Sequence, residues 1–192
     1  MNNSLIKQSL KKQAPKLLQA KARNILREAF QKVKNKMLAE FLAHPVTREI
    51  EGGIKSSNIS GTLNNITNLY SFIGFNSGDD PIAPIEDLLL STDIRFVKMS
   101  RMGLEFEVTL PDAKDIFAVT PLPWAPGRSW AKGIESGLSG LGYYLNKSTD
   151  KSRSGLGVQT SQKIRKGVKF TNTKYISSIL NKYQKEFENI TL

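Results

Sequence analysis

The feature that most constrains this chain is a long amphipathic stretch near its N-terminus. Between Pro15 and Pro45, apolar residues recur at steps of three and four positions, which is the period of one helix face. A proline suits the first turn of a helix, and the residue before a proline disfavours helical backbone. The sequence therefore predicts one helix over residues 16–43. Its apolar face consists of Leu18, Ala22, Ile25, Leu26, Ala29, Phe30, Val33, Met37 and Phe41.

The other face of this helix, and the residues before it, are basic. Residues 1–43 hold ten Lys or Arg against two Glu, a net charge of +8, whereas the other 149 residues carry +3 of the total of +11. This imbalance favours an acidic partner, either DNA or an acidic protein, although a solvated face without a partner has the same composition. A basic helix also suits an anionic membrane surface, but this one lacks Trp and has an ordinary core stripe, so we expect no membrane partner. The candidate contacts are Lys11, Lys12, Lys16, Lys21, Arg23 and Arg27. We expect residues 1–15 to form a basic arm that stays mobile until a partner orders it, because they offer little apolar surface.

A hairpin is the best-defined sheet element in the sequence. Residues 94–99 and 103–110 are joined by a short connection ending in Gly103, and the second segment alternates apolar with polar side chains. The alternation predicts that Glu105 and Glu107 lie on a solvated face.

Three further segments complete the predicted fold. Residues 68–75 have the aromatic content of a strand, and residues 84–91 have the pattern of a short helix. Residues 173–190 predict a terminal helix that docks on the sheet, with Asn172 or Thr173 as its N-cap. Its apolar stripe is Tyr175, Ile176, Ile179, Leu180, Tyr183 and Phe187. The predicted fold class is α+β, in which a long N-terminal helix and a C-terminal helix pack on a small antiparallel sheet in one domain over 16–192.

The polar residues form no recognisable reactive set. The chain has no cysteine and one histidine, His44, which we expect to end the first helix before a long loop over residues 44–67. Asp79 and Asp80 precede a proline, where carboxylates cap turns or helices. No metal spacing and no nucleotide-binding or hydrolase motif is present, so we expect a protein that is not an enzyme and takes no cofactor. No segment has the apolar length of a membrane span.

Residues 124–145 combine large aromatics with five glycines. We interpret them as an aromatic strand followed by a glycine-rich interaction loop over residues 133–157, because glycine disfavours a stable helix. Aromatic side chains and arginines dominate interface energetics, although the same aromatics are also typical of a domain core. The candidate interface residues are Trp124, Trp130, Tyr143, Tyr144, Arg128 and Arg153.

The order of these features resembles the tail-completion and neck proteins of tailed bacteriophages. The resemblance covers roughly residues 20–190 and rests on short motifs: a Pro-Val…Gly-Leu segment after the first helix, an aromatic-Ala-x-x-aliphatic-Glu-x-Gly segment, and an Arg-Pro-Phe-like element before the last helix, of which this chain has the Phe. The matching residues are Pro45 and Val46, Gly61–Leu63, then Trp130, Ala131, Ile134, Glu135 and Gly137, and finally Phe170.

The resemblance implies a virion structural protein at the neck, or head–tail junction, assembled in the host cytoplasm. It implies a ring of about six or twelve copies that binds adjacent connector and tail proteins and touches packaged DNA without sequence preference. Two alternatives remain open: a small basic DNA-binding or packaging accessory protein, and a tail terminator ring protein.

Overall fold

The protein has an α+β fold, as the sequence predicts, and its residues gather in two compact units. The first unit draws on residues 1–41, 86–115 and 177–192, and the second on residues 42–85 and 116–176, whereas the sequence suggests one domain. The computed structural model describes residues 4–9, 16–63, 65, 67–100, 103–137, 144–145, 158–159 and 170–190.

Helices supply most of the regular structure. They are α1 (Lys16–Ala43), α2 (Pro45–Glu51), α3 (Leu69–Ile73), α4 (Ala83–Leu90), α5 (Ala113–Ala118), α6 (Trp130–Ser136) and α7 (Ile176–Glu188), with a 3-10 turn at Gly53–Lys55. The strands are β1 (Ser4–Ser9), β2 (Asp93–Ser100), β3 (Gly103–Leu110), β4 (Pro121–Leu122), β5 (Ala125–Ser129), β6 (Tyr144–Leu145) and β7 (Val158–Gln159). They form antiparallel sheets in the orders β1-β3-β2, β4-β5 and β6-β7.

The first unit contains the predicted hairpin and one strand that the sequence does not predict. β2 and β3 pair from Asp93 opposite Thr109 to Ser100 opposite Gly103, which confirms the hairpin. β1 pairs with the other edge of β3, so Ser4–Ser9 are a strand and not part of a mobile arm. Ladder hydrogen bonds use only backbone groups, so a segment poor in apolar residues still pairs where an open edge is available. The rest of the predicted arm, residues 1–3 and 10–15, lies outside the described residues.

The prediction that Glu107 is solvated is wrong. Its side chain is 6% exposed, because β3 is the central strand and Arg95, its cross-strand partner on β2, forms an ion pair over it. Glu105 is half-buried and lies 3.4 Å from Lys98. Phe106, Val108 and Leu110 are buried, as the alternation predicts.

The terminal helix α7 begins at Ile176, so neither Asn172 nor Thr173 is its N-cap. Its predicted apolar stripe is buried throughout. The sequence predicts that α7 docks on the sheet, but within the first unit α7 packs on α1. The rings of Phe30 and Phe187 lie 5.4 Å apart, and Tyr183 donates a hydrogen bond to the carbonyl of Lys36. In the predicted apolar face of α1, Leu26, Phe30, Met37 and Phe41 are buried, whereas Ile25 is 44% exposed.

Two local predictions for the second unit are wrong because polar caps decide the structure. α1 ends at Ala43, just before His44, as predicted, but the predicted long loop does not begin there: the Nδ1 of His44 accepts a hydrogen bond from the backbone of Val46 and starts α2. Residues 68–75 contain α3 and not a strand. Asn68 caps the N-terminus of α3, and Gly74 ends it with a left-handed φ of 96°. Side-chain caps at the N-terminus and glycine just after the C-terminus stabilise short helices that propensity alone disfavours.

The predicted capping role of the adjacent aspartates is confirmed. Asp79 Oδ2 accepts a hydrogen bond from the backbone of Asn76 at 2.7 Å, and Asp80 Oδ1 accepts from the backbones of Ile82 and Ala83 at the start of α4. Both carboxylates are therefore used in turn and helix formation.

Candidate interaction surfaces

The N-terminal half of α1 carries an exposed basic surface. Lys21, Arg23 and Arg27 are exposed, and the guanidinium groups of Arg23 and Arg27 each lie 5.5 Å from the centre of the Phe96 ring on β2. Within the described part of the chain none of these three cations forms an ion pair. We call Lys21, Arg23, Arg27 and Phe96 the arginine surface.

Two of the three lysines in the second half of α1, Lys34 and Lys36, have internal partners, whereas Lys32 is exposed. The Nζ of Lys34 donates to the carbonyls of Leu90 and Thr92 at 2.6 and 2.7 Å, and the Nζ of Lys36 lies 3.0 Å from Glu186 on α7. These lysines stabilise the fold of the first unit. On α1, the described cations that form no ion pair or hydrogen bond among the described residues are therefore Lys32 and those of the arginine surface.

The structure describes three of the six predicted basic contacts with their side chains: Lys21, Arg23 and Arg27. Lys16 is the first residue of α1, and Lys11 and Lys12 lie outside the described residues.

Trp124 and Trp130 belong to the core of the second unit, so their interpretation as interface anchors is wrong. They are 6% and 1% exposed. The indole nitrogen of Trp124 donates to the carbonyl of Ile73 at 2.7 Å, and Trp130 meets the Phe75 ring edge-on at 5.9 Å. Arg128 is exposed, with its guanidinium 6.0 Å from the Trp124 ring. The alternative interpretation of these tryptophans as core residues is the one that the structure confirms.

The segment after Trp130 is a helix, although we predicted a strand and a flexible loop. Ser129 caps α6 by accepting a hydrogen bond from the backbone of Lys132 at 3.0 Å, and α6 ends before Gly137, whose φ is 98°. Gly133 lies inside the helix and is buried. Glycine costs a helix interior about 0.5–1 kcal/mol relative to alanine, and burial of Trp130 and Ile134 offsets that cost.

The remaining predicted interface residues lie largely outside the described part of the chain. Tyr144 belongs to β6, which pairs with β7. Tyr143, Arg153 and most of the predicted glycine-rich interaction loop, residues 138–143 and 146–157, are outside the described residues.

The residues that carry the family resemblance come together in the second unit. The backbone of Thr171, next to Phe170, donates to the carbonyl of Thr62 at 2.9 Å, and the backbone of Thr173 donates to the carbonyl of Ile134 at 3.1 Å. Phe170 also stacks on Phe72, with the ring centres 6.0 Å apart. The segment that begins at Phe170 thus bonds to both the Gly61–Leu63 and the Trp130–Gly137 segments.

A buried carboxyl group, which the sequence analysis missed, organises the segment between α2 and α3. Glu49 has no exposed surface, and its oxygens accept hydrogen bonds from Asn58 Nδ2 at 2.9 and 3.2 Å and from the backbones of Ser60 and Leu69, both at 2.7 Å. Asn68 Nδ2 donates to two carbonyls of the same segment, those of Ile54 and Ser56. The signal in the sequence was a pair of asparagines in a segment too long to remain without internal bonds.

Neither a metal site nor a membrane helix is found among the residues with described coordinates. No group of three His, Asp or Glu is close enough to hold a metal ion, and no helix there has the length and apolar character to span a bilayer.

Comparison with protein-family models, with curated proteins and with solved structures returned no match for this chain. What the protein does must therefore be inferred from its own residues and surfaces.

Proposed function

We propose that this chain is a structural protein of a tailed bacteriophage virion, located at the neck. In this role it assembles into a ring of about six or twelve copies and binds the rings on either side. The resemblance described above suggests the family, and the copy number comes from that resemblance.

The observation that carries the proposal is the convergence of the motif residues. The segment that begins at Phe170 is hydrogen-bonded, through the backbones of Thr171 and Thr173, to the Gly61–Leu63 and Trp130–Gly137 segments in the second unit. A family core built from these motifs requires that they lie close together in the folded chain. Their proximity supports a common structural core and therefore supports the resemblance.

The arginine surface favours a second candidate, a basic DNA-binding or packaging accessory protein. Its cations have no ion-pair partner within the described residues, and unpaired arginines on a helix are well suited to phosphate oxygens. In a neck ring the same surface would contact packaged DNA or an acidic neighbour, so its presence alone does not decide between the two functions.

Quantitative mass spectrometry of purified particles tests the first candidate. The abundance of this chain is normalised to a virion protein of known copy number. About six or twelve copies per particle is the expected result. Absence from particles, with abundant protein in infected cells, would contradict the neck proposal and favour the accessory protein.

Binding of the purified chain to duplex DNA tests the second candidate. If the arginine surface binds phosphates, replacement of both Arg23 and Arg27 by Ala weakens binding and lowers the slope of log affinity against log salt by about 1.8, since each phosphate contact contributes about 0.9. K36A is the matched control, because Lys36 lies on the same helix but pairs with Glu186. The double variant removes two positive charges and K36A removes one, so a loss in K36A half as large as that in the double variant would assign the effect to net charge and not to this surface. Removal of residues 1–36 is unsuitable as a test because it deletes Leu26 and Phe30 from the core.

A further inference from the structure

The second unit contains a cavity to which the function proposed above assigns no role. Its volume is about 800 Å³, and it is bordered by α5, β5, α6 and the segment that begins at Phe170. This volume lies in the range of pockets that bind small ligands or a few side chains of a partner.

The lining combines positive charge with apolar surface. Arg128 and Lys132 supply the charge, and the described lining residues include no Asp or Glu. Lys132 is exposed and forms no ion pair within the described part of the second unit. Phe117, Leu122 and Phe170 supply the apolar surface. A ligand that matches this lining carries both carboxylates and at least one apolar group.

Charge identifies which occupants fit. The chain's own residues 138–169 hold seven Lys or Arg and one Asp, a net charge of +6, so they do not complement Arg128 and Lys132. Duplex DNA does complement the charge, but it offers no apolar side chain and its convex backbone does not fill a concave site lined by phenylalanines. An acidic protein segment with an apolar side chain satisfies both requirements.

We propose that this cavity is the docking site for an acidic segment of a neighbouring protein, which inserts an apolar side chain between Phe117 and Phe170 and places a carboxylate beside Lys132. This inference rests on the proposed role as a connector, because a connector binds adjacent proteins, and it names the chemistry of that contact.

The first test is an NMR titration of the full chain with a capped hexapeptide of two acidic residues, Leu-Phe and two more acidic residues. Saturable shifts are expected at the amides of Lys132 and Gly133, with affinity at least tenfold weaker for K132E. K174E is the matched control, because Lys174 is an exposed lysine of the same unit outside the cavity. A second peptide with Ser-Ser in place of Leu-Phe is expected to bind at least tenfold more weakly.

Several results would overturn the inference. Equal binding of the two peptides would mean that the cavity binds carboxylates without using its apolar surface. No saturable shift, or shifts away from α6, would remove it as a docking site. Displacement of the peptide from the same amides by a 20-base-pair DNA duplex would assign the surface to nucleic acid.

The second test identifies the occupant in assembled particles. A side chain at Gly127 would have no atom within 4 Å of its Cβ, so a photoreactive residue there is accommodated at the edge of the cavity. Cross-linking to an acidic segment of another virion protein is expected. Cross-linking only to residues 138–169 of the same chain, or to DNA, contradicts the inference. If the chain is absent from particles, the neck proposal fails while the titration still tests the site. If the titration fails for a chain that is present, only the docking site is lost.

Discussion

Glu40 and Glu49 are separated by nine positions in the sequence, yet the protein uses their carboxylates in opposite ways. Glu40, in the first unit, is about one-third exposed and accepts hydrogen bonds from Tyr183 at 2.6 Å and from the ammonium group of Lys182. Glu49, in the second unit, is fully buried, and all its hydrogen bonds come from neutral groups of Asn58, Ser60 and Leu69.

The difference teaches what burial adds to a polar contact. A partly exposed carboxylate exchanges its protein partners for water at little cost, so its ion pair contributes modestly to stability. A buried carboxyl group cannot exchange its partners, and the groups that donate to it are also buried or confined. Glu49 therefore determines the path of the chain between α2 and α3, whereas Glu40 only strengthens a contact between α1 and α7.

The largest effect that this comparison predicts is for E49Q. Both Glu49 oxygens accept hydrogen bonds, so an amide group of the same shape places its NH₂ against a donor wherever it points. We expect a loss of about 3 kcal/mol in the free energy of unfolding of the second unit. Urea unfolding followed by tryptophan fluorescence measures it, because both tryptophans of the chain lie in that unit.

E51Q is the matched control for this prediction. Glu51 is an exposed glutamate at the end of the same helix, α2, and we expect its replacement to change stability by less than about 0.5 kcal/mol. If E49Q is as stable as E51Q, the carboxyl group of Glu49 does not organise the segment.

A smaller effect is expected where a buried hydrogen bond involves only hydroxyl groups. Tyr175 Oη and Thr47 Oγ1 lie 2.8 Å apart, and neither side chain is exposed. Burial raises the pKa of Tyr175 well above its ordinary value of 10, so the phenol stays neutral and able to donate. Y175F is expected to cost about 1–2 kcal/mol, since it leaves the threonine hydroxyl without this partner.

A double-mutant cycle with T47V separates the hydrogen bond from packing. If the bond matters, the double variant is more stable than the sum of the two single losses predicts. Strict additivity would mean that the two hydroxyl groups do not stabilise the unit through each other.

Sequence periodicity predicted the long elements of this fold well. α1, the β2–β3 hairpin and the apolar stripe of α7 follow from the spacing of apolar residues, which reflects the geometry of one helix or strand. The spacing does not reveal what packs on the other side. The burial of Glu107 depends on Arg95 reaching across from β2, and the pairing of β1 depends on a free edge of β3.

Short elements and the sites were predicted poorly, because their structure is decided by single contacts. α3 exists where aromatic content suggested a strand, since Asn68 and Gly74 cap it. The interpretation of Trp130 as an interface anchor is wrong because composition does not distinguish a core aromatic from an exposed one. The charge count locates the basic region, but only the structure separates Lys36, which pairs with Glu186, from Arg23, which forms no ion pair among the described residues.

The smallest effect in the comparison belongs to E40Q, and pH is the variable that isolates it. Hydrogen bonds from Lys182 and Tyr183 hold the pKa of Glu40 below its ordinary value of 4.5. Its contribution is therefore complete above the unfolded pKa and is lost as pH falls through the lower, folded pKa. At neutral pH we expect E40Q to cost about 0.5–1 kcal/mol, the size of an exposed ion pair. The difference from the wild type should shrink as pH falls to and below 4.5, as measured by urea unfolding followed by circular dichroism.

E28Q is the matched control. Glu28 is an exposed glutamate of the same helix that forms no ion pair in the described first unit, so E28Q should show no such convergence. A deficit of E40Q that stays constant down to pH 3 would mean that Glu40 acts through packing and not through its charge.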